Sequence, residues 1–245
     1  MNFEMWSIWH ILYIISPFII VSAILFLIKK SSNKTKYVIG IILGVLSLII
    51  ILIRNIDILI NSGWNEEVIP FQVCHIGSIV VGLALILKKK WLILVSFCFN
   101  MIPAILAMIF ADALVNYDTL LKIRPQTYIW GHIIIVVGAL YALLTYNNNF
   151  TKKDLSCSLI FVSVALFIAI FSNTAFRVWF DWSPNYFYLY NYKGTPLSFL
   201  YNATPNTVIG LFEINLLYTF TLIFVFVAVY LTLYYIANKI AQRNK

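Results

Sequence analysis

The chain has 245 residues, of which 62% are hydrophobic and only 11% are charged, and its mean hydropathy is +0.91. Such a composition excludes a water-soluble globular domain. The net charge of +8 does not indicate a nucleic-acid partner, because no soluble segment is long enough to grip a duplex. We therefore expect a single integral membrane domain over residues 1–245, located in the cell membrane and crossing it several times, with no nucleic-acid partner.

Seven apolar runs follow one another along the chain, separated by short polar breaks. Each run has about the 17 to 25 residues that a helix needs to cross a bilayer. The runs cover residues 8–28, 37–60, 70–87, 91–110, 127–146, 155–176 and 208–236. The sequence thus predicts an all-α polytopic membrane protein with seven transmembrane helices.

Lysine and arginine are distributed unevenly between the connections. Twelve of the seventeen lie in loops 28–37, 88–90 and 147–154 and in the C-terminal tail, which all fall on one side. By the positive-inside rule, this side is cytoplasmic, so the C-terminus is predicted inside and the N-terminus outside. Eight of the nine acidic residues map to the outer side, in loops or at helix ends.

The second helix carries charges near its outer end, in ILIRNIDILINSGW. Arg54 and Asp57 are three residues apart, so they share a face of the helix and can pair. A charge inside a span costs about 3 kcal/mol unless it is paired or hydrated, so such residues usually face a cavity or a partner. A structural ion pair and a functional site both stay open at this point.

The third helix begins with IPFQVCHIGSIV, which places Cys74 and His75 at its outer end. The fifth helix begins TYIWGHIIIVV and places His132 at a similar depth. A cysteine becomes a nucleophile when a base or a helix N-terminus favours its thiolate. His132 suits that role better than His75, which points about 100° away from Cys74 on the same helix. The alternative is that Cys74 is an inert small hydrophobe and His132 a hydrogen-bonded packing residue.

The longest outer connection, residues 176–206, is crowded with tryptophan and tyrosine. Aromatic rings of this kind prefer the headgroup region, so the connection is typical of an interfacial anchor. The alternative is a lid over a cavity between the second, third and fifth helices, with Asn185 and Tyr186 facing in. Beyond it, Glu213 is expected a few residues into the seventh helix, at a depth similar to that of Asp57.

Several short motifs resemble the YwaF-type integral membrane protein family of bacteria. They are IPFQVCHIGS on the third helix, the spacing of Arg124 and His132 at the fifth, and SPNYFYL followed by GTPLSFL before the seventh. Most bacterial members have no assigned activity, but an animal relative is regarded as a cysteine-dependent acyltransferase that remodels phospholipids. The resemblance implies that Cys74 is similar to the acyl-accepting cysteine of that relative and His132 to its histidine partner.

We therefore expect a membrane-embedded acyltransferase that moves a fatty acyl chain from a phospholipid to a lyso-lipid or another membrane acceptor through a Cys74 thioester. Cytosolic acyl-CoA cannot reach an outer-leaflet site, so a membrane phospholipid is the expected donor and no cofactor is expected. Cys74 attacks the ester and His132 moves the proton. Asp57 orients the imidazole, and Arg54 binds the lipid phosphate. Further substrate contacts are expected from Gln72, His75, Arg124, Asn185, Tyr186 and Glu213.

The acyl acceptor stays open among a lysophospholipid, a lipoprotein N-terminus and a glycolipid. A different class of function also fits: a solute-binding transporter subunit or sensor, in which Arg54, Asp57 and Glu213 bind a solute or relay protons. Transporters usually carry such groups at the midplane on broken helices. Here Pro103 breaks one helix near mid-span but the inner halves of the predicted helices are unbroken, which favours the enzyme. No C-x-x-C or H-E-x-x-H spacing occurs, so no metal site is expected.

Overall fold

The computed structural model describes residues 3–146, 149–193 and 197–243 of the chain, and the protein is 74% helical. In chain order the helices are α1 (Ile8–Leu27), α2 (Asn33–Ser62), α3 (Val73–Leu87), α4 (Lys90–Leu94), a π-helix (Val95–Asn100), α5 (Met101–Ile109), α6 (Asp112–Val115), α7 (Ile123–Thr145), α8 (Lys152–Phe180), a 3-10 turn (Tyr186–Tyr188), α9 (Ser198–Tyr201) and α10 (Leu216–Arg243). An antiparallel hairpin of β1 (Thr207–Ile209) and β2 (Phe212–Ile214) precedes α10.

Six helices of the described chain are long and apolar enough to cross a membrane, if α4, the π-helix and α5 are taken as one span, Lys90–Ile109. The remaining apolar helix, α3, has only 15 residues. At 1.5 Å per residue it is ~22 Å long, whereas a bilayer's hydrocarbon core is ~30 Å thick. The prediction of an all-α polytopic membrane protein is confirmed, with one of the seven expected spans shorter than a full crossing.

The last helix begins later than the sequence predicts. The hairpin occupies the first part of the apolar run 208–236, and α10 begins only at Leu216. The β-branched side chains of Thr207, Val208 and Ile209 favour an extended strand. The turn that follows needs Gly210, whose φ is +61°. Apolar content alone does not distinguish such a strand from the first turns of a helix.

The span Lys90–Ile109 is wound unevenly, a feature that the sequence indicates only through Pro103. Proline has no N–H to donate to the carbonyl of the fourth residue before it, and its ring crowds that carbonyl. The wider π-helix lies directly upstream and ends at Asn100. A π-helix inside an α-helix is rare and often occurs at a functional site.

Small residues bring α2 and α3 into close contact. A Cβ atom on Gly44 would lie 2.8 Å from the carbonyl oxygen of Gly82, so only glycine fits at that crossing. One turn further along, the Ser47 hydroxyl donates a 2.8 Å hydrogen bond to the carbonyl of Ser78. Small residues and buried hydroxyls commonly join helices within a membrane, where apolar burial alone gives little preference for a partner helix.

The two ends of the bundle differ in chemistry. The basic end contains the α1–α2, α3–α4 and α7–α8 connections, and there the Lys88 ammonium lies 3.3 Å from the centroid of the Tyr37 ring. The opposite end, called the site end below, contains the α2–α3 connection, the start of α7 and the segment between α8 and α10. Which end faces the cytoplasm stays a prediction from the charge distribution.

Candidate functional site

Cys74 lies in the first turn of α3 at the site end. The helix begins at Val73, and its N-cap residue Gln72 makes no side-chain capping hydrogen bond. No side chain therefore caps the first-turn N–H groups, and the positive end of the helix dipole lies beside the thiol. The cysteine is partly buried. Tyr13 of α1 and Tyr128 of α7 lie close enough to interact with it electrostatically.

The packing of α3 on α7 fixes the level of Cys74. A Cβ atom on Gly77 would lie 3.3 Å from Cδ1 of Ile135, and Val81 fills the space that a Cβ on Gly138 would need. The contacting residue numbers rise together on both helices, so α3 and α7 run parallel. One turn back from Gly77 along this register, Cys74 lies at the level of residues 131–132, as the sequence predicts for His132.

The imidazole of His132 is buried, with only 7% of the residue exposed. Its Nδ1 lies 2.7 Å from the carbonyl oxygen of Tyr128, one turn earlier on α7. A carbonyl oxygen only accepts, so Nδ1 carries the proton, and the neutral ring has its lone pair on Nε2. The Tyr128 ring packs on the imidazole at 4.3 Å between centroids. The orienting contact predicted for Asp57 is therefore made by the Tyr128 carbonyl instead.

His75 extends this polar group toward α2. It lies close enough to Arg54 and to His132 to interact with both electrostatically. Its Nδ1 is buried and has no hydrogen-bond partner in the described part of the chain, and the same holds for the hydroxyl of Tyr13. A buried polar atom without a partner costs about 1–3 kcal/mol. Polar atoms around Cys74 are thus left unsatisfied in the interior of an apolar bundle.

Arg54 and Asp57 form no ion pair with each other among the described residues. Arg54 donates from Nη1 to the Glu67 carbonyl at 2.8 Å and to Oδ1 of Asn55 at 3.0 Å. Asp57 instead accepts a 2.9 Å hydrogen bond from Asn61. The α2–α3 connection folds back over the end of α2, and this brings the Glu67 carbonyl within reach of Arg54. The structure gives Nη2 and Nε of Arg54 no partner within 3–146, 149–193 and 197–243, so these donors remain available for an anion.

Arg124, at the start of α7, makes an ion pair with the carboxylate of Glu67. Arg54 and Arg124 therefore both bind Glu67, one through its carbonyl and the other through its carboxylate. These contacts tie the α2–α3 connection to α7. From the sequence, Glu67 is only one of the outer-side acids, and nothing there indicates that two arginines meet at it.

Residues 181–193 fold over the start of α3. The side chain of Gln72 donates a 3.3 Å hydrogen bond to the carbonyl of Asn185. The hydroxyl of Tyr186 donates to the carbonyl of Glu66 at 2.7 Å. Burial raises the pKa of the Tyr186 phenol, so it stays a neutral donor. The segment thus covers the α2–α3 connection, and its role as a lid over a cavity stays a prediction. Residues 194–196 of the GTPLSFL motif lie outside the described residues.

Asn173 of α8 positions this segment, a role that was not predicted from the sequence. It is 3% exposed, and its carboxamide donates to the carbonyl of Tyr186 at 3.0 Å and accepts from the N–H of Tyr186 at 2.8 Å. The carboxamide of Asn185 is also used within the segment, where it accepts from the N–H groups of Tyr190 and Asn191. The side chain of Asn185, predicted to contact substrate, therefore shapes a turn. The one signal in the sequence that could have indicated this role of Asn173 is the presence of an asparagine inside an apolar run.

Glu213 lies on β2, outside the helices, whereas the sequence predicts it inside the seventh span. Its carboxylate accepts a 3.0 Å hydrogen bond from Asn206 and pairs with Arg177 of α8 at 2.9 Å. The hydrogen bond from Asn206 and then the Arg177 charge hold the pKa of Glu213 below its usual range. Arg177 also bonds the hydroxyl of Tyr190. These residues, with Asn215, form the hairpin cluster, which fastens the hairpin to α8.

The third histidine is fully occupied by its neighbours. Nδ1 of His10 accepts from the N–H of Trp6 at 2.9 Å, and Nε2 donates to the carbonyl of Met108 at 2.8 Å. In the part of the chain that the structure describes, no group of three or more His, Cys, Asp or Glu side chains is arranged to hold a metal ion. His10 therefore joins α1 to α5 and supplies no base.

An apolar groove of about 520 Å³ runs between α1, α2 and α7. Its lining on α7 consists of Ile123, Gln126, Thr127, Trp130, Ile133, Ile134 and Val137. At 100° per residue, these positions lie on the face of α7 opposite His132. The groove therefore belongs to the outside of the bundle and not to the polar group around Cys74.

The fold and the polar group at the site end define a class of protein: a polytopic α-helical membrane protein with chemistry-bearing side chains at one end of an apolar bundle. The family model for the TMEM164 family matches residues 5–234, so the chain belongs to the TMEM164 family. This finding supports a membrane protein of that family and not the bacterial YwaF-type label specifically. No curated protein and no solved structure matches the chain.

Proposed function

We propose that the protein is a membrane-embedded acyltransferase of the cell membrane that moves a fatty acyl chain from a phospholipid to a lyso-lipid or another membrane acceptor through a Cys74 thioester. One observation carries this proposal. The proton of His132 is held on Nδ1 by the Tyr128 carbonyl, which leaves the Nε2 lone pair as a base at the level of Cys74. A thiol needs such a base to become a nucleophile.

In the first half-reaction, Nε2 of His132 takes the thiol proton and the Cys74 sulfur attacks the ester carbonyl carbon of a phospholipid. The tetrahedral intermediate then expels the lipid alkoxide, which takes the proton back from His132 and leaves as a lyso-lipid. In the second half, His132 takes a proton from the acceptor hydroxyl, whose oxygen attacks the thioester. The Cys74 sulfur leaves and recovers the proton, so atoms and charges balance over the cycle.

The surroundings of Cys74 support charge development on the reacting atoms. The uncapped first turn of α3 offers backbone N–H groups and the positive end of a helix dipole, which stabilise an oxyanion. Nη2 and Nε of Arg54 have no hydrogen-bond partner among the described residues. They are therefore available for a phosphate, which a guanidinium binds through two parallel N–H groups. In this proposal Arg54 binds the headgroup phosphate, and His75 is close enough to Arg54 and to His132 to interact with both electrostatically.

The expected donor depends on the orientation of the chain. If the basic end is cytoplasmic, Cys74 lies toward the outer leaflet, where acyl-CoA is absent and a phospholipid supplies the acyl chain. A C-terminal tag should then resist protease in intact cells and become sensitive once the membrane is opened. A tag that is digested in intact cells would contradict this orientation, and with it the argument for a phospholipid donor.

The activity is tested with purified protein in proteoliposomes, following a labelled acyl chain from a diacyl phospholipid to a lyso-lipid. Cys74→Ser keeps the size of the side chain but leaves a much weaker nucleophile, so transfer should be lost. His132→Gln should lower transfer by about 100-fold or more, as expected for removal of a general base. The control variants Cys98→Ser and Cys157→Ser change the other two free cysteines and should stay near wild type.

Two results would overturn the proposal. Equal transfer by wild type and Cys74→Ser would exclude the thioester. Absence of transfer by wild type, together with saturable binding of a polar solute that Arg54→Gln abolishes, would favour the transporter or sensor class instead.

A further inference from the structure

Asn100, the last residue of the π-helix, has an unsatisfied carboxamide in the interior of the protein. It is 1% exposed, and neither Oδ1 nor Nδ2 has a hydrogen-bond partner in the described part of the chain. Both amide atoms lose their hydrogen bonds to water on burial, and no hydrogen bond to a described residue compensates for that loss of free energy. Because each such group in a native structure needs an explanation, the carboxamide points to a partner that is not part of this chain.

The position of Asn100 relates it to Cys74. Its Cβ and Cγ lie 3.3 Å and 3.4 Å from where a Cβ on Gly77 would be, so the carboxamide group lies over this glycine of α3. Gly77 and Cys74 are three residues apart and therefore neighbours on one face of the helix, with ~5–6 Å between such positions. Ile135 of α7 closes the same space from the other side. The carboxamide thus lies one turn below the thiol, between α3, α7 and the π-helix.

We propose that Asn100 binds the ester carbonyl group of a membrane lipid, with Nδ2 donating to the carbonyl oxygen. This rests on the proposed function only in naming the lipid as the one whose acyl group approaches Cys74. An acyl chain that enters an apolar bundle brings one polar group with it, the ester carbonyl. This group accepts hydrogen bonds and has no hydrogen to donate. Oδ1 is then left for a hydroxyl, which a lyso-lipid acceptor supplies. Asn100 would be a substrate-positioning residue that sets the acyl carbonyl near the sulfur.

The test uses binding rather than turnover, so that it does not depend on the thioester. In a Cys74→Ala background, thermal unfolding of the full chain in maltoside detergent is followed while a diacyl phosphatidylcholine or its dialkyl ether analogue is added. The two lipids share headgroup and chain length and differ only in the carbonyl groups. The ester lipid should raise the unfolding temperature more than the ether lipid, and Asn100→Leu should remove this difference while keeping the shift common to both lipids.

A matched control is Ser96→Ala, which removes a buried hydroxyl from the same π-helix whose partner is the Leu92 carbonyl. It should keep the difference between ester and ether lipid. A second variant, Gly77→Ala, pushes the carboxamide aside by a few tenths of an ångström and should reduce the difference. Gly131→Ala, where a Cβ meets only an ordinary 3.7 Å contact, should not.

Three results would overturn the inference. They are equal stabilisation by ester and ether lipid in the Cys74→Ala protein, a difference that survives Asn100→Leu, and, if Asn100→Leu does not fold, a difference that Gly77→Ala leaves unchanged. Failure of the proposed function is recognised separately, because it appears as equal acyl transfer by wild type and Cys74→Ser whatever the lipid preference.

Discussion

Asn100 and Asn215 have the same residue type and the same exposure of 1%, but opposite surroundings. Asn215 makes five hydrogen bonds, in which its Nδ2 donates to Tyr201, Thr204 and Asn206 and its Oδ1 accepts from Thr204 and Tyr218. Asn100 makes none to the described residues. A buried carboxamide with every atom paired holds a loop in shape, whereas an unpaired one leaves bonding capacity for a ligand.

The same difference separates the two polar regions of the molecule. In the hairpin cluster, Arg177 and Asn206 both bond the carboxylate of Glu213. Around Cys74, His75 keeps an unpaired Nδ1, and His132 uses one nitrogen and leaves the other without a described partner. We therefore infer that the hairpin cluster has a structural role and that the region around Cys74 is the functional site. This division can be tested by substitution.

The largest expected effect on stability is that of Asn215→Leu. It leaves two backbone carbonyls and one backbone N–H without their partner, so the free energy of unfolding should fall by about 3 kcal/mol. Asn100→Leu, measured without added lipid, should not lower the free energy of unfolding, because it removes two unpaired atoms and replaces them with an apolar side chain of similar volume. Thermal unfolding in detergent compares the two variants. A larger loss for Asn100→Leu than for Asn215→Leu would contradict the division.

A smaller loss is expected where α2 and α3 cross. In Gly82→Ala the new methyl group would lie 2.8 Å from the Leu48 side chain and 3.0 Å from the Gly44 carbonyl. Separating the two helices to relieve this contact should cost about 1–3 kcal/mol of unfolding free energy. Gly131→Ala, on the neighbouring α7, is the control and should be nearly neutral. Equal stability of the two alanine variants would show that the close crossing is not needed.

The smallest effect is the pH dependence of the hairpin cluster. The pKa of Glu213 is lowered in the folded protein, so its ionised form contributes stability above the usual pKa of 4.5 and this contribution is lost as the pH falls through the lowered value. The carboxylate is partly exposed, which screens its pairing and keeps the effect small. Between pH 6 and pH 3, about the range over which a glutamate titrates, Glu213→Gln should therefore lose slightly less stability than wild type. A larger loss of stability in Glu213→Gln than in wild type over this pH range would contradict the prediction.

Much of the fold follows from the sequence because lipid leaves few alternatives to apolar helices. The number and order of the apolar runs are reproduced, with α3 falling short of a full crossing. The run 208–236 could not be divided correctly, since strand and helix are equally apolar there and Gly210 marks the turn only once the hairpin is known. The π-helix was also missed: Pro103 is visible in the sequence, but the way in which the chain relieves it depends on its neighbours.

The candidate site could be located in part. Depth along a helix can be counted, so Cys74 and His132 could be assigned to one level. Hydrogen-bond partners cannot be counted in this way, because they depend on helix rotation and on how loops fold back. For that reason the partner of Arg54 is Glu67 rather than Asp57, and the orienting group of His132 is the Tyr128 carbonyl. The roles of Asn100 and Asn173 could not be predicted, because the sequence does not show whether the carboxamide of an asparagine in an apolar run is hydrogen-bonded.

The most direct test of the central claim, that Cys74 carries an acyl group during turnover, is intact-mass spectrometry of protein incubated with a diacyl phospholipid and no acceptor. Wild type, Cys98→Ser and Cys157→Ser should gain the mass of one acyl chain, and hydroxylamine, which cleaves thioesters, should remove it. Cys74→Ser should gain no hydroxylamine-sensitive mass. An adduct of the same size and sensitivity on Cys74→Ser, or transfer by wild type while no adduct forms under any acceptor concentration, would contradict the account.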